Sequence, residues 1–213
     1  MAKPQPKGLL IDIEGIDAAG KRTQTSLLVG WMRRKGISVS TASFPDYSTT
    51  VGKEIRRFLY NPKTYSKEAG HMLFAVNRWE NRGRLESLLE ESDVTVVDRY
   101  TESNLAYGVA NGLPLGWLSS LETGLPKADL VLILDAPPHA LYGRRPSGKD
   151  KYERSFSIQT KAREAYKALA PKFGWKVIDA SGSIQRVHES VTSEVGELLS
   201  ARRLLKGQDR KTR

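Results

Sequence analysis

Residues Glu14 to Thr23 read EGIDAAGKRT, directly after the apolar run Gly8–Ile13 (GLLIDI) and at the start of an amphipathic stretch. Gly15 through Lys21 fit G-x-x-x-x-G-K, the spacing of a loop that wraps phosphate. In such a loop Gly15, Ile16, Asp17, Ala18, Ala19 and Gly20 can turn backbone N–H groups towards one anion, and the following helix N-terminus adds a favourable field. Lys21 brings a mobile positive charge to the β and γ phosphates. An ordinary glycine-rich turn between a strand and a helix is the bland alternative. The strand before and the helix after favour the phosphate reading.

The hydroxyl residue that should follow the lysine is missing, and Arg22 stands there. A cation in the first turn of a helix opposes the macrodipole, so Arg22 fits best where a dense anion fills the loop. An exposed arginine paired with a neighbouring carboxylate is the equal alternative. Thr23 can supply a hydroxyl near a metal. In VTVVDRY, Asp98 ends an apolar strand where a Walker-B-type acid meets Mg²⁺, directly or through water. Asp17 is the second carboxylate able to face the phosphates, and so the second metal candidate.

These residues need a scaffold that gathers strand ends. Gly8–Ile13, Ser38–Ser43, Val94–Asp98, Leu130–Asp135 and Trp175–Asp179 read as strands. Most are near-continuous Val/Ile/Leu runs, as in a parallel sheet covered on both faces. Helical patterns lie between them. Leu27, Leu28, Trp31 and Met32 share a face, as do Ile184, Val187, Val191, Val195 and Leu198. A long helix is expected over about 66–91, with Met72, Leu73, Val76 and Trp79 inward at its start. The order β-α-β-α-α-β-α-α-β-α-α-β-α argues for a doubly wound α/β domain, a five-stranded parallel sheet with helices on both faces, whose ligands bind beyond the strand carboxyl ends. With 213 residues, no clear linker and no internal repeat, one domain spanning 1–213 is expected.

The chain has no cysteine, which excludes disulfides, thiolate catalysis and cysteine metal sites. No apolar stretch approaches the ~20 residues of a membrane helix. The first residues, MAKPQPKG, lack a signal-peptide core, so a cytoplasmic location is expected. The net charge of +10 is concentrated at Lys3, Lys7, the segment Arg144–Arg154 (RRPSGKDKYER) and the tail Arg202–Arg213 (RRLLKGQDRKTR). The remaining body is near neutral. A broad nucleic-acid-binding face is therefore not expected. His71, His139 and His188 show no metal-ligand spacing and receive no role.

IEGIDAAGKRTQ, FPDYSTTVGKEI, LFAVNR, DRYTESNLAYG, GLPKADLVLILD and YER occur here in the order found in thymidylate kinases, which phosphorylate dTMP to dTDP. The chain resembles that family from Leu9 to about Leu199, and DRYTESNLAYG is the most specific element. The resemblance implies the P-loop NTPase type of fold with a lid, here short and at about 144–155. It implies ATP and Mg²⁺ as cofactors, dTMP as acceptor and a homodimer, for which the helix bearing Met72, Trp79 and Leu85 offers an apolar face that core packing explains equally well. Some members also carry Arg after the loop lysine, and related adenylate kinases place their hydroxyl one position later, as Thr23 does.

The family pattern assigns Pro45 to the deoxyribose and acceptor phosphate, with Tyr47 standing where an arginine is often found. It assigns Phe74 to stacking on thymine and Arg78 to the base edge, with Asn77 in place of the usual Asp. Arg99 matches the clamp on the dTMP phosphate, Ser103 and Asn104 match base and phosphate contacts, and Tyr107 sits where a ribose 2′-hydroxyl would clash. Arg144 or Arg145 would lie against adenine and phosphates. Lys21, Asp17, Arg99, Arg22 and Arg145 make up the expected catalytic set. The alternatives are a kinase for another pyrimidine monophosphate such as dUMP, and a P-loop nucleic-acid-binding protein. A GTPase reading rests on PKAD (Pro126–Asp129), which precedes a strand where the guanine-reading motif follows one.

Overall fold

The computed structural model describes residues 8–61, 65–141 and 155–205, together with the backbone of 142–144. Five strands, β1 (Leu9–Glu14), β2 (Val39–Ser43), β3 (Val94–Asp98), β4 (Leu130–Asp135) and β5 (Lys176–Asp179), form one sheet in the order β2-β3-β1-β4-β5. Every pairing is parallel. This is the P-loop NTPase fold, and the five expected strands are present within one residue at each end.

Alternation along β1 sorts the two faces. Leu9, Ile11 and Ile13 pack with Leu28 and Met32 of α1 (Lys21–Arg34) and with Val187, Val191 and Val195 of the last helix, α8 (Ile184–Ala201). Leu10 points the other way, onto Leu85 and Leu89 of α4 (Arg82–Glu91) and onto Val97 and Tyr100. That second face also carries α5 (Thr101–Ala110) and α7 (Phe156–Phe173). It places Asp12 and Glu14 in the dry interior. Two residues of the expected helix faces lie outside: Leu27 is 37% and Ile184 61% exposed.

The segment between β2 and β3 differs from expectation. It holds three helices, α2 (Thr50–Tyr60), α3 (Lys67–Glu80) and α4, because the long helix is interrupted at Asn81. The Asn81 amide donates to the Asn77 carbonyl at 2.8 Å, taking over an acceptor the helix ladder would use. The inward face of α3 is also corrected. Met72, Val76 and Trp79 are exposed, whereas His71, Ala75 and Arg78 are buried. Leu85 belongs to the core beneath α4, and the exposed large apolar residues of α3 are Met72, Val76 and Trp79. Between β4 and β5 the described residues hold a 3₁₀ segment, Pro138–Arg144, and α7. α6 (Leu115–Glu122) precedes β4.

Pairing of Ile13 with Asp98 brings the carboxyl ends of β1 and β3 together. The loop of Gly15–Gly20 therefore opens beside Asp98 and Arg99, where the chain order reverses across the sheet.

Candidate active site

The phosphate loop is shaped by backbone that few residues accept. Gly15 has φ 135°, and a Cβ there would lie 2.5 Å from the Leu134 carbonyl. Gly20 enters α1 at φ 98°, and Ala18 is left-handed at φ 64°. Ile16 and Ala19 are buried under the loop. Lys21 folds inward and donates to the carbonyls of Gly15 (3.1 Å) and Ile16 (2.9 Å). Burial, and then the Arg99 charge, push its ammonium down to about 8, against the opposing pull of Asp17, Asp98 and Glu14.

Arg99 sits in the left-handed region at φ 67°, a conformation costing on the order of 1–3 kcal/mol. Glu14 holds that turn in place. Its Oε1 accepts from the Tyr100 N–H (2.8 Å) and the Ser103 N–H (3.0 Å), and its Oε2 accepts from Ser103 Oγ (2.7 Å) and Tyr166 OH (2.7 Å). The Arg99 guanidinium pairs with Asp17 through Nη2, donates to Ser103 Oγ at 3.2 Å, and lies 5.5 Å from the Tyr107 ring centroid. Its charge, with that of Lys21, holds Asp17 below the usual carboxylate range despite burial.

Asp17 is gripped again from α7. Gln159 accepts from the Asp17 N–H (3.0 Å) and donates to Asp17 Oδ2 (2.5 Å), and Tyr107 OH approaches the same oxygen at 3.4 Å. With both oxygens engaged, Asp17 is held against Arg99. Asp98 is partly exposed at the end of β3, and the exposed Thr23 opens onto the same cavity. Oxygen donors beside an accessible cavity suit a hard divalent cation that keeps some of its waters. The residues present therefore fit Mg²⁺, with Asp98 and Thr23 better placed than Asp17.

Two cavities meet here. One, of about 320 Å³, is walled by Pro45, Tyr47, Phe74, Arg78, Ser103, Asn104 and Tyr107, and extends to Arg99. The other, of about 790 Å³, runs along the loop past Arg22 and Thr23 to Ala180–Ile184. Asp17, Lys21 and Asp98 border both. Pro45 joins Phe44 through a cis peptide. Asn77 supports this turn by accepting from the Asp46 N–H (2.8 Å) and donating to the Asp46 carbonyl (3.1 Å). Arg22 is exposed and makes no ion pair with a described residue. Arg145, Lys149, Lys151 and Arg154, and most of the tail, lie outside the described residues, and Arg144 is described in backbone only.

The structure adds residues with no legible signal in the sequence: Glu14, Gln159, Tyr166 and Glu122. His71, given no role from sequence, is wholly buried in the wall of the smaller cavity. Its Nδ1 lies 2.6 Å from Asn104 Oδ1 and its Nε2 3.0 Å from Asn111 Nδ2. Asp129 of the PKAD stretch accepts from the Leu10 N–H (2.9 Å) and pairs with Arg202, which makes it a structural residue at the far end of the sheet.

Beneath the Arg99 turn, Asp12, Glu14 and Glu102 bring carboxylate oxygens within 4.8 Å of one another. Glu14 is saturated by its four donors. Asp12 has none for either oxygen. Burial, then the charges of Glu14 and Glu102, raise Asp12 well above the carboxylate range, and burial raises Glu102. Asp12 is thus the carboxyl of the three that burial and its two acidic neighbours push furthest towards the protonated form.

The family model described as Thymidylate kinase matches residues 13–191. The chain is 35% identical to the thymidylate kinase of Plasmodium falciparum, over 93% of this chain and 94% of that protein. It is 35% identical to the human thymidylate kinase, over 87% and 88% respectively. A solved Candida albicans thymidylate kinase, described as having broad substrate specificity, superposes with TM-score 0.78 at 30% identity over 94% of each chain. The loop motif and the sheet agree with these likenesses, and the chain belongs to the thymidylate kinase family.

Proposed function

We infer that this chain carries out the reaction of its family, transfer of the γ-phosphoryl group of ATP to the 5′-phosphate of dTMP, giving dTDP and ADP. The observation that carries the reading is that Asp17, Lys21 and Asp98 border both cavities, at the seam where donor and acceptor phosphates would meet.

The acceptor oxygen forms a bond to the γ-phosphorus as the bond to the β–γ bridging oxygen breaks. The acceptor is a phosphate already largely ionised near neutral pH, so the step needs no strong general base. The work left to the protein is positioning and charge. The loop N–H groups and Lys21 hold the donor phosphates, and Arg99 leaves Asp17 to take the acceptor phosphate in a fork. Phe74 and Arg78 hold the base, and Pro45 and Tyr107 border the sugar. Asp98 and Thr23 would hold Mg²⁺, which neutralises charge on the phosphate oxygens. The larger cavity receives the nucleoside of ATP between the loop and Ala180–Ile184, with Arg22 bordering it and Arg144 or Arg145 as the further cation that the family pattern implies. A homodimer through Met72, Val76 and Trp79 belongs to the same reading, as does a single domain with its lid at about 144–155.

An ADP-release assay with Mg-ATP and each of dTMP, dUMP, UMP, dCMP and AMP tests the reading. Preference for dTMP over UMP is expected, because Tyr107 crowds the 2′ position. Equal use of UMP would refute the sugar argument, and no turnover dependent on a monophosphate would refute the kinase.

A further inference from the structure

Arg78 and Asn104 stand together in the wall of the acceptor cavity, beside Phe74. Behind them, outside that wall, lies Glu122 at the end of α6, its side chain 7% exposed. It accepts from Arg78 Nε at 2.9 Å and from Arg78 Nη2, and also from Asn104 Nδ2 at 2.6 Å. We propose that Glu122 is the positioning residue of the base-reading edge. It fixes Arg78 and Asn104 in a donor–acceptor order that admits a 4-oxo pyrimidine carrying N3–H and rejects a 4-amino pyrimidine. The inference deepens the dTMP reading and rests on it.

The order follows from what each group can donate. A carboxylate paired with a guanidinium offers only acceptors, so the Asn104 side that meets Glu122 must be its NH₂. That amide also donates to the His71 carbonyl at 3.3 Å. Asn104 Oδ1 is thereby turned to His71, whose Nδ1 must carry the proton that spans 2.6 Å, and Nε2 then accepts from Asn111. Oδ1 keeps a second lone pair, which suits a ring N3–H donor. Glu122 engages the Nε and Nη2 of Arg78, so Nη1 is the nitrogen it leaves for a 4-oxo acceptor. Cytosine presents the opposite pattern, an amino donor and a bare N3, and meets a donor with a donor and an acceptor with an acceptor. Buried mismatches of this kind give far larger discrimination than a lost methyl group.

Replacing Glu122 by Gln breaks the order, since an amide must aim its own NH₂ at a donor of Arg78 or of Asn104. With Glu122→Gln we expect the KM for dTMP to rise about tenfold with kcat within about threefold, a loss of ground-state and transition-state binding alike. The kcat/KM preference for dTMP over dCMP should fall by about tenfold or more. Glu122→Asp keeps the carboxylate and should recover much of that preference. In an Arg78→Met background, Glu122→Gln should raise the dTMP KM by clearly less than about tenfold, because only its effect through Asn104 remains and residues acting through one another are not additive. Should Glu122→Gln fail to fold, the Asp variant and the doubly neutral Arg78→Met/Glu122→Gln chain carry the comparison. A variant that loses thermal stability yet keeps the dTMP KM and the dTMP:dCMP ratio would overturn the proposal, as would fully multiplicative effects in the double variant. Wild-type enzyme without dTMP turnover would show instead that the kinase reading itself had failed.

Discussion

Asp12→Asn should make the protein more stable at neutral and higher pH, and the size of the effect follows from the proton that Asp12 holds. Asp12 and Glu14 are fully buried and Glu102 is 9% exposed, with no cation among them. Only Glu14 is fully hydrogen-bonded. The folded state therefore binds a proton at Asp12 that the unfolded chain releases near the ordinary value of 3.8. The native form is the more protonated one above that value, so the stability this group contributes is complete below 3.8 and is lost as pH climbs towards the raised folded value. Through that window one retained proton costs about 1.4 kcal/mol of stability per pH unit. The carboxamide that replaces the acid cannot titrate. Urea unfolding of both proteins at about pH 5, 6 and 7 should give a difference in stability that grows in favour of the variant by up to about 1.4 kcal/mol per unit. Taking the difference cancels the other titrating groups, including Asp17 and Asp46, whose lowered values act in the opposite direction at acid pH. A difference that stays constant from about pH 5 to 7 would refute the protonated Asp12 and the argument built on it.

Arg99→Ala should cost about 10²-fold in kcat/KM for dTMP, from the loss of a fork whose charged hydrogen bonds are worth roughly 1.5–3 kcal/mol each. Turnover within about threefold of wild type in steady-state kinetics would remove Arg99 from the phosphate site. Since Lys21 titrates at about 8 in the free protein, binding of a nucleotide triphosphate above that pH must draw in a proton. Calorimetry in buffers of different ionisation enthalpy should show proton uptake appearing, and affinity falling, as pH passes about 8, whereas pH-independent affinity to about 9.5 would contradict the buried lysine. Tyr166→Phe removes one of the four donors to the Glu14 carboxylate. It should destabilise the protein by about 1.5–3 kcal/mol, read as a fall of several degrees in Tm, and a shift below about 1 °C would show that Glu14 does not depend on it.

The loop motif was legible because the pattern that defines it is local. Gly15, Gly20 and Lys21 fall within seven residues of one another, and a strand and a helix flank them in sequence as in space. The strands were legible for the same reason. Their apolar runs are continuous, and a run buried on both sides of a sheet has little choice of conformation. The interrupted helix was less so, because α3 and α4 carry similar periodic patterns and the break depends on one side chain, Asn81, reaching the Asn77 carbonyl.

Partnership across the fold was decided by tertiary structure alone. Gln159 grips Asp17 from 142 residues away, and Glu122 reaches Arg78 across 44. Neither residue differs in type from the exposed Gln185, or from exposed glutamates such as Glu90 and Glu91. Sequence periodicity tells which way a side chain faces relative to its own helix or strand, and says nothing of which other element will lie against it. Here the order β2-β3-β1-β4-β5 sets α5 and α7 over the inner face of β1. That packing turns Asp12, Glu14 and Glu102 into one shared electrostatic site. It also gives Asn104 a single hydrogen-bonding direction, because in a dry interior each donor must meet an acceptor and only the packed neighbours can supply one.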